Sequence, residues 1–213
     1  MNTPIHPRQD ESPLLVAIRH TRVEKPPGMC LGRTPLPLAE SYDQERKVIL
    51  ENLRKIPLAG AIIHTSPLER CRILAGDLGS ALGYAVQEDP QLLEFDYGLW
   101  DGRPWEDIPR EETHPWMENW QTHPTPGGES LPMMIERVRA FCADLPGDTP
   151  TLAVTHEGVL RCLEYLFAGS GAGAGLENFF ERPLPFGVIR RYPLPLCCSS
   201  QAAPSRFSFH VER

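Results

Sequence analysis

The chain has 213 residues, 41% of them hydrophobic and 23% charged, with a formal net charge of −7. That length and balance fit one globular domain with a full core and exclude a disordered, fibrous or membrane-spanning chain, since no apolar run approaches the ~18 residues a span needs. Basic side chains number 21 against 28 acidic ones, with no dense Lys/Arg run, which excludes a broad phosphate-backbone footprint; neither nucleic acid nor a membrane is an expected partner. The opening MNTPIHPRQDESP has no basic stretch followed by an apolar one, so no signal peptide is expected and the expected compartment is the cytoplasm. Six cysteines (Cys30, Cys71, Cys142, Cys162, Cys197 and Cys198) lie scattered without a C-x-x-C pair and read as reduced packing residues, with no metal site and no cofactor implied.

The first element is LLVAIR at 14–19, a short apolar run that suits a buried strand and delivers Arg19 and His20 at its carboxyl end. The next eighteen residues hold four prolines (Pro26, Pro27, Pro35, Pro37) and two glycines, which predicts an ordered loop lining a site. From Ala39 to about Lys55, Tyr42, Ile49, Leu53 and Ile56 form a helical stripe. AGAIIHTS reads as a second strand, and Leu68, Cys71, Leu74, Leu78 and Leu82 after Pro67 as a helix. A weak strand near Tyr84 to Gln87 follows. The Trp-, Pro- and acid-rich stretch at about 95–128 predicts only short helices and a cap-like insertion within a single domain spanning 1–213. Ser130 is a good N-cap for the helix that carries Leu131, Met134, Ile135, Val138 and Phe141. TLAVTH is another buried strand, and Val159, Leu163, Leu166 and Phe167 mark the helix after it. AGSGAGAG at 168–175 is low-complexity loop, and FGVIRRY and RFSFHVE read as late strands, whose edges leave room for pairing into a homodimer. Alternating strands and helices predict an α/β fold: a three-layer α/β/α sandwich around a mostly parallel, doubly wound sheet.

Three predicted strands end in polar groups: Arg19-His20, then His64-Thr65-Ser66 with Arg70, then Thr155-His156. In a parallel sheet such ends open on one crevice. Two histidines, two arginines and a carboxylate without metal-ligand spacing suit phosphoryl transfer through histidine. Neutral imidazole is a nucleophile at pH 7, guanidinium matches phosphate oxygens, and a carboxylic acid protonates the leaving oxygen.

LLVAIRHT, HTSPLERCRILA, LLEFDYGLWDG, PGGES and VTHEGVLR stand in the order found in the histidine phosphatase superfamily, the phosphoglycerate mutase-like proteins, which the chain resembles over about residues 14–165. The loop HTRVEKPPGMCLGRTPLPL is most similar to the α-ribazole phosphatase branch. The resemblance implies a phosphoglycerate mutase-like fold, no cofactor, and a metal-independent phosphomonoesterase acting on a small phosphorylated metabolite. It implies that His20 becomes phosphohistidine, that Arg19, Arg70 and His156 hold the phosphoryl oxygens, and that Glu94 is the general acid, with a pKa raised by burial. Gly32 and the amides of Glu157 and Gly158 are further candidate donors, and Arg22 and Arg33 candidate substrate contacts. A phosphoglycerate mutase is the alternative, although the short interval from Glu94 to Glu129 favours hydrolysis; a phosphate-binding module without catalysis is the third reading.

The chain departs from the family pattern at His20-Thr21-Arg22-Val23, at Leu31 and Pro35, and at Glu157, where the family has a small residue. These positions bear on substrate identity more than on reaction class. Glu129 in PGGES reads either as part of a helix-opening turn or as a brace for Arg19 or Arg70. His64 reads as a buried, hydrogen-bonded structural residue, and His6, His114, His123 and His210 as surface or cap residues. Trp100, Trp105, Trp116 and Trp120 fit core or cap packing, or the wall of an aromatic pocket.

Overall fold

The computed structural model describes residues 14–168, 176, 179 and 184–194. LLVAIR forms β1 (Leu14–Arg19), and the helical stripe after the proline-rich loop forms α1 (Tyr42–Leu53). They are followed by β2 (Ile62–Thr65), α2 (Glu69–Leu82) and β3 (Val86–Glu88). Then come α3 (Arg110–Asn119), α4 (Leu131–Asp144), β4 (Thr151–Thr155), α5 (Glu157–Phe167) and β5 (Ile189–Pro193). The five strands make one sheet in the order β3-β2-β4-β1-β5, parallel except for β5, which runs antiparallel on β1. RFSFHVE, Cys197 and Cys198, and the low-complexity stretch beyond Ala168, fall outside the described residues. Among those residues no helix is long and apolar enough to cross a membrane.

Alternation along the strands divides the core into two. Leu15 and Ala17 of β1 and Ala153 of β4 face α4 and α5, packing with Met134, Val138, Phe141 and Leu160. Val16, Ile18, Leu152 and Val154 face α1 and α2, packing with Ile49, Leu53, Leu74 and Leu78. Helices on both faces explain why β1 and β4 read as continuous apolar runs, and the architecture is the expected α/β/α sandwich. Each large side chain buried there contributes roughly 1.5–3 kcal/mol relative to exposure.

Register sets the site. Arg19 pairs with Thr155 and Thr65 with Val154, so β1, β2 and β4 end level and release His20, Ser66 and His156 at one edge. Helix starts follow local chemistry: the Ser130 hydroxyl accepts from the Met133 amide, and Gly83, at φ 76°, closes α2 in the left-handed conformation. Residues 95–128 form two short turns (98–100 and 105–107) and α3. They pack on the loop after β1 through Cys30 N–H to Arg103 O at 2.8 Å and Trp105 N–H to Gly28 O at 2.8 Å. Cys30, Trp100 and Ile108 make a small core of their own there.

Candidate active site

His20 leaves β1 held on two sides, its amide donating to Thr155 O at 2.9 Å and its carbonyl accepting from Gly187 N at 3.3 Å. Its Nδ1 lies 2.6 Å from the Thr21 carbonyl. A carbonyl only accepts, so Nδ1 carries the proton and Nε2 keeps its lone pair. Burial, then the positive charges of Arg70 and Arg19, lower the His20 pKa to about 3 against the opposing pull of the Thr21 carbonyl. The ring is therefore neutral throughout the physiological range.

His156, the residue before α5, is fully buried, with its ring centroid 5.1 Å from that of His20. Both of its nitrogens are engaged. Arg70 Nε donates to Nδ1 at 3.3 Å, which leaves the Nε2 proton for Ser66 Oγ at 2.8 Å. Burial and the neighbouring His20 and Arg70 hold its pKa well below 6.5. The resemblance makes His156 a phosphoryl ligand; in the structure it stands beside His20, meets Arg70 and is absent from the described lining of the cavity.

Arg19 stacks its guanidinium over the Phe186 ring at 4.0 Å and bonds Glu157 Oε2 at 2.8 Å and the Leu184 carbonyl. Its Nε is buried with no hydrogen-bond partner among the described residues, a costly state for a donor. Arg70 donates to Gly32 O at 2.6 Å and Thr34 O at 3.1 Å. Burial lowers both arginine pKa values from the ordinary guanidinium range.

Glu94 lies between the short turn at 90–92 and the wall of the cavity. Its carboxylate accepts from Phe95 N at 2.9 Å and from Gly158 N at 3.2 Å. Those bonds and the nearby arginines favour the anion, yet desolvation outweighs them and raises the pKa. The absence of a side chain at Gly158 leaves room for the Glu94 carboxylate, which a Cβ there would displace. Arg137, which sequence reasoning missed, clamps this segment by donating to Gln91 O at 2.7 Å and Glu94 O at 3.2 Å. Its helical position resembles any surface arginine, and only the fold brings it under Glu94.

Several expected contacts are corrected. The Gly32 amide is already engaged by Asp101 Oδ1 at 2.8 Å, and Asp101 also takes the amides of Arg33 and Thr34, anchoring the loop. Arg33 turns to Glu94 O at 3.1 Å and Asp96 at 2.8 Å, so it supports the acid's segment and does not line the cavity. Arg22, with 66% of its side chain exposed, pairs with Glu45 on the outside. Glu157 lines the cavity, but its carboxylate is tied to Arg19 and Arg161. The Gly158 amide serves Glu94. Glu129 braces Arg137 at 2.8 Å and Arg33 at 3.5 Å, not Arg19 or Arg70. His64 lies outside the cavity lining, only partly buried against Phe141 and 3.8 Å from Asp89, so it is less enclosed than the buried, hydrogen-bonded residue expected.

Arg19, His20, Arg70, Glu94 and Glu157 open on one cavity of about 490 Å³. Phe95, Tyr97, Trp105, Trp116 and Trp120 supply much of its apolar wall. Trp100 is fully buried and bonds Glu112 at 2.9 Å, so the four tryptophans divide between packing and lining.

The family model of the histidine phosphatase superfamily (branch 1) matches residues 15–180, and the chain belongs to that superfamily. Phosphoserine phosphatase 1 from Hydrogenobacter thermophilus is 27% identical over 62% of this chain and 63% of its own length. A Yersinia enterocolitica protein named "probable phosphoglycerate mutase" is 29% identical over 62% of this chain and 63% of its own. The chain thus spans less than two thirds of the length of either relative. The solved α-ribazole phosphatase from Shigella flexneri superposes with a TM-score of 0.72 at 24% identity, covering 84% of this chain and 89% of that one. That likeness establishes the common fold.

Proposed function

We propose that the chain is a metal-independent phosphomonoesterase working through phospho-His20 on a small phosphorylated metabolite. The observation that carries this reading is a neutral His20 with Nε2 unprotonated, in one cavity with the unsatisfied Nε of Arg19 and a carboxyl group of raised pKa. In the first step the Nε2 lone pair attacks phosphorus, the ester P–O bond breaks, and Glu94 gives its proton to the leaving oxygen. In the second, water attacks phosphorus, the Glu94 carboxylate takes the water proton, and the P–N bond breaks with its electrons returning to Nε2. Arg19 and Arg70 stabilise the equatorial oxygens, which carry the developing charge, and His156 holds Arg70 in place. Residues 95–128 act as the cap that walls the leaving-group side.

The aromatic wall supports α-ribazole 5′-phosphate, whose leaving group carries a neutral aromatic base, as the first ester to test. A panel including it, phosphoserine and 3-phosphoglycerate is assayed for phosphate release in excess chelator. Chelator-resistant release is the expected result, fastest for the aromatic ester. Isomerisation of 3-phosphoglycerate without release would make the chain a mutase, and binding without turnover a phosphate-binding module.

A further inference from the structure

Glu157 has no part in the steps above, yet its carboxylate borders the cavity. Its side chain is 31% exposed, with Oε2 2.8 Å from Arg19 and Oε1 3.2 Å from Arg161 Nε. Arg161 is itself buried and donates to the Phe179 carbonyl at 2.5 Å. Arg70 is engaged by Gly32, Thr34 and His156. Arg19 and Arg161 therefore share the Glu157 carboxylate, while Arg70, whose partners are uncharged, is left to face the phosphoryl group. Lys25, the remaining cation of the described lining, stands exposed, where water and salt weaken its pull.

A phosphoryl dianion beside the unsatisfied Arg19 Nε can compete with Glu157 for that guanidinium. A carboxylate elsewhere on the ester has no such opening. It meets the Glu157 anion and an aromatic wall, and like charges brought together in a partly desolvated space select against the bearer. We infer that Glu157 is a specificity-determining residue that excludes esters whose leaving group carries a carboxylate and admits neutral or cationic aromatic ones. This inference rests on the proposed phosphatase reading of the same cavity.

The test is a matched pair, 4-carboxyphenyl phosphate and 4-carbamoylphenyl phosphate, which differ at the ring substituent by one charge. The wild type is expected to prefer the carbamoyl ester in kcat/KM by about tenfold. Glu157→Gln, which keeps the shape and the hydrogen-bonding capacity, is expected to bring the ratio near one; Glu157→Ala serves if the glutamine variant does not fold. A wild-type ratio near one, or a ratio unchanged in the variant, overturns the inference and leaves the phosphatase reading intact provided turnover still depends on His20. If neither ester turns over, the ratio of the two dissociation constants by calorimetry decides the inference in the same way, and the metabolite panel decides the phosphatase reading separately. Failure of both esters to bind overturns the inference.

Discussion

His20→Ala removes turnover of every phosphomonoester the wild type accepts, by on the order of 10⁴-fold or more in kcat. The expectation follows from the tautomer. With Nδ1 donating to the Thr21 carbonyl at 2.6 Å, Nε2 is the unprotonated nitrogen of the ring. No other described lining residue of the cavity offers a neutral nitrogen nucleophile, since the remaining nitrogen bases there are the cationic Arg19, Lys25, Arg70 and Arg161. His156 cannot substitute, because it is fully buried with both nitrogens engaged. The variant keeps the amide and carbonyl bonds of residue 20 to Thr155 and Gly187, so the fold survives, and a circular dichroism melt checks that it does. Steady-state assay of the folded variant is the measurement; retained activity would mean the nucleophile lies elsewhere.

Glu94→Gln is the second large effect, a loss of about 100- to 10,000-fold in kcat for esters with poor leaving groups. The loss shrinks for an activated aryl ester, whose leaving oxygen departs without a proton. The same variant tests the pH dependence. His20 is neutral at all pH above its value of about 3, so the rise of activity from acid is complete early. In the first step Glu94 acts in its protonated form, and desolvation raises its pKa, so the acid persists to higher pH than an ordinary carboxyl and kcat/KM falls as pH climbs through that raised value. In Glu94→Gln the alkaline limb of kcat/KM disappears. An alkaline limb identical in both proteins, or an equal loss for activated and poor leaving groups, would remove Glu94 from the role of acid.

Much of this arrangement was legible in the sequence because it depends on strand ends. Apolar runs ending in Arg19-His20 and Thr155-His156 give both the strands and their termini, and a parallel sheet with level register brings them together. The edge elements were less legible: β3 starts two residues later than the stretch read as strand, because its three residues are exposed and lack a buried face to mark them. The loop donors failed for a different reason. Gly32 lies beside the site in the chain, but the Asp101 carboxylate, 69 positions away, takes its amide first, and the Arg33 guanidinium is drawn to Asp96 and the Glu94 carbonyl. Arg137 and Glu129 act on Glu94 only through packing of α4 beneath its segment, a long-range relation that periodicity does not record. The tryptophans carry no signal separating wall from core; Trp100 is internal because Glu112 receives its indole N–H.

On the proposed mechanism, the phosphoryl group passes through His20. Rapid mixing with an isotopically labelled phosphomonoester, quenching in alkali within a turnover and mapping of the labelled peptide tests it most directly. An alkali-stable, acid-labile phosphoryl group on the peptide containing His20, formed and lost at rates that account for kcat and absent in His20→Ala, is the predicted result. Full turnover with no labelled protein, or with the label on any other residue, would contradict the account.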